Sequence, residues 1–227
     1  MGAFVQAIIL AGGFGTRLSS VISDVAKPMA QVNAKPFLEY IFDYLELFGI
    51  QQIVLCVGYK KESIQDYFKF QHKGIRIIYS IEDTPLGTGG AIKQALKQID
   101  SESALVFNGD SFFKLALDEF VNEMKSKKIA LALKPMNNFD RYGSVVLNSG
   151  KVNSFEEKKF VKSGLINAGV YLIRKDIFDG VAEKEFSFEK FLEQQDDVYG
   201  YVSDEYFIDI GIPQDYEKAQ KDFKELF

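Results

Sequence analysis

The sequence predicts an α/β fold, with a mainly parallel mixed sheet in its first half and a smaller β-rich extension in its second half. Apolar runs of strand length alternate with segments of helical spacing up to about residue 115. The runs at residues 7–10, 53–57 and 104–107 are continuously apolar, as expected for strands that are buried on both faces of a parallel sheet. From about residue 116 onward, strand-like runs follow one another across short polar turns, with few helices between them.

In the first half, predicted strands and helices alternate along the chain. The strands are expected at residues 7–10, 53–57, 75–79 and 104–107. The helices are expected at Pro36–Phe48, which Gly49 closes, at Lys60–Phe70, and over a run that begins at residues 85–91 and continues to Leu96. This order predicts parallel βαβ units, whose ligands bind beyond the carboxyl ends of the strands.

In the second half, four strands are expected at residues 129–133, 142–147, 152–155 and 168–173. Helical segments follow at residues 186–193 and from Pro213 to the end, where proline suits a first helical turn. We expect this mixed or antiparallel part to supply the pocket of a second substrate. Because the sequence contains no repeat and no convincing linker, residues 1–227 are predicted to form a single domain.

Composition excludes several classes of function. A net charge of −5 and a pI near 5.1 argue against a nucleic-acid-binding surface. No apolar run approaches the length of a membrane span, and the start lacks a signal peptide, so a cytoplasmic protein without a membrane partner is expected. The single cysteine, Cys56, is predicted to be a buried thiol rather than a nucleophile. His72, the single histidine, is predicted to lie on the surface in a polar loop, not to act as a base or a metal ligand.

A glycine-rich loop directly follows the first predicted strand, which begins at Gln6. Gly12, Gly13 and Gly15 permit backbone conformations in which successive N–H groups converge on phosphate oxygens. Arg17 and Lys27 follow and supply cationic donors, Arg17 as a planar fork and Lys27 as a point charge. The loop fits neither a Walker motif, which requires Gly-Lys-Ser/Thr, nor a dinucleotide fingerprint, whose third glycine is replaced by Leu18. A phosphate site is therefore predicted, with ATPase and dehydrogenase activity disfavoured.

Two aspartates are candidate ligands of Mg²⁺, which prefers hard oxygen ligands and commonly takes one or two carboxylates together with substrate phosphates. Asp110 follows the predicted strand at residues 104–107 and is expected at the ligand edge of the sheet. A simple turn or helix cap is the alternative role for such a residue. Asp209 lies between Ile208 and Ile210, where burial of a carboxylate without a partner would be costly.

These motifs together resemble the sugar-1-phosphate nucleotidyltransferases. The matching segments are L-A-G-G-F-G-T-R-L with a later K-P, then P-L-G-T-G-G-A, E-E-K, N-A-G-V-Y and the closing D-I-G-x-P-x-D-Y. The resemblance implies a Rossmann-like three-layer αβα sandwich, a nucleotide-binding half at about residues 1–115 and a sugar-binding half at about residues 116–227. It also implies Mg²⁺ as cofactor, a nucleoside triphosphate and a sugar 1-phosphate as substrates, and is compatible with a homodimer.

The resemblance assigns roles to residues at the matching positions. Those implied in catalysis are Arg17, Lys27 and Asp110, with Asp110 and Asp209 as metal ligands. Those implied in nucleotide binding are Leu10, Ala11, Gly12, Gly13, Gly15, Thr16, Pro85, Gly87, Thr88, Gly89 and Gly109. Those implied in binding the sugar phosphate are Gly90, Glu157, Lys158, Asn167 and Gly169. In one departure from many relatives, Lys159 stands where they have proline after this lysine.

Among the shorter members of the family, the motifs are most similar to those of guanylyltransferases for a heptose 1-phosphate of the manno configuration. GTP is therefore the expected donor, although the side chains do not single out guanine over uracil. Mannose-1-phosphate guanylyltransferases and muramate-phosphate uridylyltransferases are close alternatives. The alternative that is not an enzyme is a regulatory subunit that binds a nucleotide sugar. Such a subunit would be expected to lack Arg17, Lys27, Asp110 or Asp209, and all four are present.

Overall fold

The computed structural model describes residues 6–13 and 25–227, which build a mixed ten-stranded sheet covered by helices. The strands are β1 (Gln6–Leu10), β2 (Gln31–Val32), β3 (Lys35–Pro36), β4 (Gln52–Val57), β5 (Gln71–His72), β6 (Ile75–Ile81), β7 (Ser103–Asn108), β8 (Ser111–Phe113), β9 (Ile129–Phe139), β10 (Ser144–Asn148), β11 (Lys151–Glu156), β12 (Val161–Arg174), β13 (Val198–Val202) and β14 (Phe207–Asp209). The α-helices are α1 (Phe37–Leu47), α2 (Lys61–Phe68), α3 (Gly87–Ala95), α4 (Leu117–Met124), α5 (Phe188–Glu193) and α6 (Pro213–Leu226). Short 3₁₀ turns lie at Lys27–Met29 and Leu96–Gln98.

The strand order of the large sheet is β10-β11-β13-β9-β12-β7-β1-β4-β6-β5. The strands β6, β4, β1 and β7 are parallel to one another, as predicted for the first half. Leu10 lies opposite both Cys56 of β4 and Asn108 of β7, so these strands end at one edge of the sheet. Gly12 and Gly13 after β1 and Asp110 after β7 consequently face the same space.

The second half extends the sheet with long, mainly antiparallel strands. β12 runs antiparallel to both β7 and β9. The elements that were not predicted in this half are α4, which buries Leu117 and Phe120, β13, which pairs in parallel with β9, and the short strand β14. The glycine in the centre of β13 weakens its strand pattern. A Cβ at that position, Gly200, would come within 2.5 Å of Leu133 Cδ1 and 2.7 Å of Leu147 Cδ2, so glycine allows these two side chains to pack closely there.

Helices cover both faces of the sheet and produce the expected three layers. Alternate side chains of β1 separate the two cores, because Ala7 and Ile9 join the core beneath α1, α2, α4 and α6, whereas Ile8 joins the core beneath α3 and α5. Cys56 is fully buried, as predicted, and burial raises the pKa of its thiol. None of the helices in the described part of the chain has both the length and the apolar character needed to cross a membrane.

The surface position predicted for His72 is wrong. His72 belongs to the edge strand β5 rather than to a loop, and its side chain is only 19% exposed. The imidazole packs edge-on against Phe42 and Phe68, and its Nε2 lies 3.5 Å from Glu39 Oε1. Pairing of β5 with β6 turns this residue inward, a tertiary effect that a polar local sequence does not reveal.

Candidate active site

The two predicted metal ligands are brought together by a small two-stranded sheet at the carboxyl edge of the large one. Asp110 lies in the tight turn between β7 and β8, and β8 pairs antiparallel with β14 so that Ser111 faces Asp209. The Ile210 N–H also donates a hydrogen bond to the Asp110 carbonyl oxygen at 3.0 Å. Two carboxylates that are distant in sequence therefore become neighbours through backbone pairing.

Lys27 lies between these carboxylates. It begins the 3₁₀ turn that Pro28 helps to fix, and its Nζ lies 2.5 Å from Asp110 Oδ2 and 3.7 Å from Asp209 Oδ1. The Lys27 side chain is 11% exposed, so its ammonium group is largely withdrawn from water. One cation thus partly compensates two anions, of which Asp110 is 38% exposed and Asp209 is 25% exposed.

The pKa of Asp209 is raised, first by burial and second by the negative charge of Asp110. Lys27 and a 2.7 Å hydrogen bond from the Gly211 N–H to Asp209 Oδ1 oppose this shift. Two converging carboxylates that retain excess negative charge are a suitable donor set for a divalent cation completed by substrate phosphates. The described residues contain no group of three or more His, Cys, Asp or Glu side chains arranged for a metal ion.

A cavity of about 760 Å³ opens at this edge, over the carboxyl ends of β1, β4, β6 and β7. We call it the donor cavity. Its lining includes the predicted residues Leu10, Ala11, Gly12, Gly13, Lys27, Pro85, Gly87, Thr88 and Asp110. Gly15, Thr16 and Arg17, which were also predicted for this site, lie outside the described residues.

Glu82 also lines the donor cavity, and sequence reasoning missed it. It directly follows β6, so the parallel order of strands could have placed it at the ligand edge. Burial raises the pKa of its carboxyl, and Oε2 accepts a hydrogen bond from the Leu86 N–H at 3.2 Å. A Cβ at Gly12 would lie only 2.6 Å from Glu82 Oε1, so glycine at position 12 leaves room for this carboxylate.

Two predicted glycines of α3 face protein rather than either cavity. Gly89 and Gly90 N–H groups donate to the Phe186 carbonyl oxygen at 2.9 and 3.4 Å. A Cβ at Gly89 would lie 2.2 Å from the Phe186 ring, and one at Gly90 would lie 2.2 Å from the Lys184 carbonyl oxygen. Both glycines therefore permit close packing of α3 against residues 184–186, and their predicted ligand contacts stay predictions.

Gly109 has a comparable structural requirement between the central strands. Its N–H donates to the Leu10 carbonyl oxygen at 2.9 Å, and a Cβ there would approach that oxygen to 2.7 Å. Glycine at this position keeps the ends of β1 and β7 close together. Its predicted contribution to nucleotide binding stays a prediction.

A second cavity of about 550 Å³, the acceptor cavity, adjoins the first on the side of the β-rich extension. The predicted residues Glu157, Lys158, Asn167 and Gly169 line it. The two cavities share Asn108, Asp110 and Gly211 in their linings. The carboxylate of Asp110 thus lies where ligands in the two cavities would meet.

An irregularity in β12 shapes the acceptor cavity. The register with β9 shifts between Asn167 and Tyr171, and Gly169 lies within this bulge with φ of 74°. The Gly169 N–H donates to Asn167 Oδ1 at 3.1 Å, while Asn167 Nδ2 donates to the Tyr171 hydroxyl at 3.0 Å. The bulge consequently fixes the Asn167 amide at the cavity wall.

Other acceptor-cavity residues were not predicted. Arg141 donates to Asp215 Oδ2 at 2.5 Å and to the Tyr142 hydroxyl at 2.7 Å, which ties the start of α6 to this wall. Glu189 belongs to α5 and also lines the cavity. No local motif pointed to these residues, because they reach the cavity only through long-range packing.

Comparison with known proteins agrees with the site. The model of the nucleotidyl transferase family matches residues 6–225. The chain is 54% identical to a D-glycero-alpha-D-manno-heptose 1-phosphate guanylyltransferase from Campylobacter jejuni, over 93% of this chain and 97% of the relative. It is 50% identical to an enzyme of the same name from Aneurinibacillus thermoaerophilus, over 97% of this chain and 99% of the relative.

A solved structure shows the same architecture. The crystal structure of HddC from Yersinia pseudotuberculosis complexed with GMP-PN superposes with a TM-score of 0.89 at 39% identity, covering 96% of this chain and 99% of that one. The family match spans both cavities and all four predicted catalytic and metal-binding residues. On this evidence, the chain belongs to the nucleotidyl transferase family.

Proposed function

We propose that the protein transfers a guanylyl group from GTP to D-glycero-α-D-manno-heptose 1-phosphate and releases pyrophosphate. The observation that carries this proposal is the meeting of two cavities at Asp110, with Lys27 and Asp209 beside it. The donor cavity takes GTP and the acceptor cavity takes the sugar phosphate. The names of the two relatives at 54% and 50% identity support this choice of substrates.

In the reaction, a phosphate oxygen of the sugar 1-phosphate attacks the α-phosphorus of GTP. A new P–O bond forms there as the bond to the β-phosphate oxygen breaks in line, and its electron pair leaves with pyrophosphate. Lys27 stabilises the negative charge that builds up, and we assign Arg17 the same task at the triphosphate. Mg²⁺ held by Asp110 and Asp209 would supply further charge neutralisation and bring the two anions together.

Glu82 supports guanine as the base of the donor. Guanine presents an N1–H and an exocyclic amino group side by side, and a carboxylate can accept a hydrogen bond from each. Glu82 lies at the donor cavity, where Gly12 leaves it space. Uracil and thymine have no such pair of donors, so a site built around Glu82 would leave this carboxylate with only the hydrogen bond from the Leu86 N–H when it binds them.

We therefore expect Glu82→Gln to reduce discrimination between donors. The amide keeps one acceptor and replaces the other with a donor, so kcat/KM for GTP relative to UTP should fall by roughly tenfold or more. Steady-state pyrophosphate release with both nucleotides measures the ratio. Glu62→Gln, an exposed change of the same kind in α2, is the matched control and should leave the ratio unchanged. An unaltered ratio in Glu82→Gln would contradict the assignment.

Arg17→Ala should lower kcat far more than it weakens GTP binding, because the charge on the phosphorus is greatest in the transition state. Loss of one such donor commonly costs on the order of a hundredfold in rate. Single-turnover rates at saturating GTP, compared with GTP affinity from calorimetry, separate the two effects. If affinity falls and the saturated rate does not, Arg17 only docks the triphosphate.

A matrix of substrates tests the proposed reaction as a whole. GTP, ATP, CTP, UTP and dTTP are each paired with heptose, mannose, muramate and glucose 1-phosphates, and pyrophosphate release is followed together with the mass of the nucleotide sugar. We expect GTP with the heptose phosphate to give the highest kcat/KM. Faster release with UTP or dTTP would overturn the donor, and preference for another sugar would overturn the acceptor.

Absence of turnover with every pair would instead favour a regulatory subunit that binds a nucleotide sugar in these cavities and does not catalyse the transfer. If the proposal holds, the product is an activated heptose for the synthesis of surface polysaccharide, made in the cytoplasm.

A further inference from the structure

The two cavities are joined by a hydrogen bond between their side chains. Thr88 lies in the first turn of α3 and lines the donor cavity, whereas Glu189 lies in α5 and lines the acceptor cavity. The Thr88 hydroxyl donates to Glu189 Oε2 at 2.8 Å. A residue of one substrate site is therefore in direct contact with a residue of the other.

The direction of this hydrogen bond is fixed by its neighbours. The Phe188 N–H donates to Thr88 Oγ1 at 2.8 Å, so the hydroxyl oxygen acts as acceptor there and its hydrogen is directed to Glu189. The Ser187 hydroxyl donates to the same Glu189 Oε2 at 2.6 Å. Within the described residues, no group donates to the other carboxylate oxygen, Oε1. Oε2 thus holds the Glu189 side chain in place, and Oε1 is available to accept a hydrogen bond from a ligand.

The surroundings of Glu189 suit a polyhydroxylated ligand. The negative charge of Glu189 acts on the Tyr171 hydroxyl, where burial first and this charge second raise the pKa. That hydroxyl accepts the hydrogen bond from Asn167, a predicted sugar contact. The Tyr171 ring also packs edge-on against Phe188 with centroids 5.1 Å apart, which fixes α5 against β12. A carboxylate and an amide therefore share one wall of the acceptor cavity.

We propose that Glu189 binds hydroxyl groups of the acceptor sugar through Oε1 and that Thr88, from the donor site, holds it in position for this. This inference rests on the proposed function. Sugar hydroxyls donate hydrogen bonds, and a carboxylate accepts them. Because Glu189 is already held in position, accepting such a bond costs little further side-chain entropy. Glu189 is then a specificity-determining residue for the acceptor, and Thr88 is a positioning residue that links the two sites.

The first test is Glu189→Ala, which is an exposed change and does not disturb a core. The KM for heptose 1-phosphate should rise by about tenfold or more, as expected for a lost hydrogen bond to a charged group. The KM for GTP should stay within about twofold. Glu189→Gln, which keeps one acceptor, should show a smaller rise. Glu185→Ala, an exposed glutamate outside both cavity linings, is the matched control and should leave both constants unchanged.

The second test addresses the hydrogen bond between Thr88 and Glu189. Thr88→Val, which removes the hydroxyl, should raise the KM for heptose 1-phosphate, and Thr88→Ser, which keeps a hydroxyl, should raise it less. The double variant Thr88→Val/Glu189→Ala should have nearly the same sugar-phosphate KM as Glu189→Ala alone, because coupled residues are not additive. Additive effects would overturn the coupling. Equal rises for both substrates, accompanied by a lower Tm, would show that Glu189 is only structural.

These results are separable from a failure of the proposed function. Turnover of the unaltered protein with GTP and heptose 1-phosphate tests the reaction before any variant is compared. If the unaltered protein prefers another sugar phosphate, the proposed acceptor fails and the same KM comparison is made with that sugar. If turnover occurs and Glu189→Ala leaves the sugar-phosphate KM unchanged, the reaction stands and the inference about Glu189 fails.

Discussion

Asp110→Asn should lower kcat by about a thousandfold or more while the protein stays folded, since metal-assisted charge stabilisation is worth several kcal/mol. Asp110 lies at the junction of both cavities, and its Oδ2 is 2.5 Å from Lys27 Nζ. Asparagine preserves shape but removes the charge that would hold a divalent cation. Asp209→Asn should behave similarly, because the structure places this carboxylate beside the same lysine. Pyrophosphate release across a Mg²⁺ titration measures both effects.

A matched surface variant and a chelator complete this experiment. Asp197→Asn removes a carboxylate that is 72% exposed, paired with Lys151 and outside both cavity linings, and should retain full activity. Excess EDTA should abolish turnover of the unaltered protein, and added Mg²⁺ should restore it. Full activity in Asp110→Asn or Asp209→Asn, or undiminished activity in excess chelator, would contradict the metal assignment. Circular dichroism of each variant shows whether a loss reflects unfolding.

Local patterns predicted most of the fold because β1, β4 and β7 are apolar along most of their length and buried on both faces. Predicted strands at residues 53–57 and 104–107 agree with β4 and β7, and the helix expected from Pro213 is α6. Elements were missed where their local signal is weak. The strand β13 has glycine at its centre, and α4 is a short helix among strands. His72 was misplaced because its burial depends on a strand pairing that is not local.

In the candidate site, too, residues with a strong local signal were predicted and residues without one were missed. Residues within glycine-rich or acidic motifs could be named in advance, and the structure brings Lys27, Asp110 and Asp209 together. Glu189 was missed because it reaches the acceptor cavity through packing between elements rather than through a motif. Glu82 was missed because it belongs to no motif, although it directly follows β6. Gly89 lies in a predicted motif but faces Phe186, because a glycine pattern does not distinguish close packing from ligand contact.

Lys27→Met should separate two roles that a cation between carboxylates can have. The Lys27 side chain is 11% exposed, and its Nζ lies 3.7 Å from Asp209 Oδ1 as well as beside Asp110. If Lys27 stabilises transition-state charge, its removal should lower kcat by on the order of a hundredfold or more. The same ammonium competes with a divalent cation for the two carboxylates. The variant should therefore bind Mg²⁺ at an equal or lower concentration, even though it turns over more slowly.

Calorimetric titration with Mg²⁺, together with kcat at saturating metal and substrates, measures these opposite effects. Lys134→Met is the matched control, because Lys134 is also largely buried, at 16% exposure, and pairs with Asp204 outside both cavity linings. It should leave kcat and Mg²⁺ binding unchanged. A variant of Lys27 that loses Mg²⁺ binding and activity in parallel would show that the lysine merely maintains the site. A normal kcat would remove Lys27 from catalysis, because the transition state would then not depend on its charge.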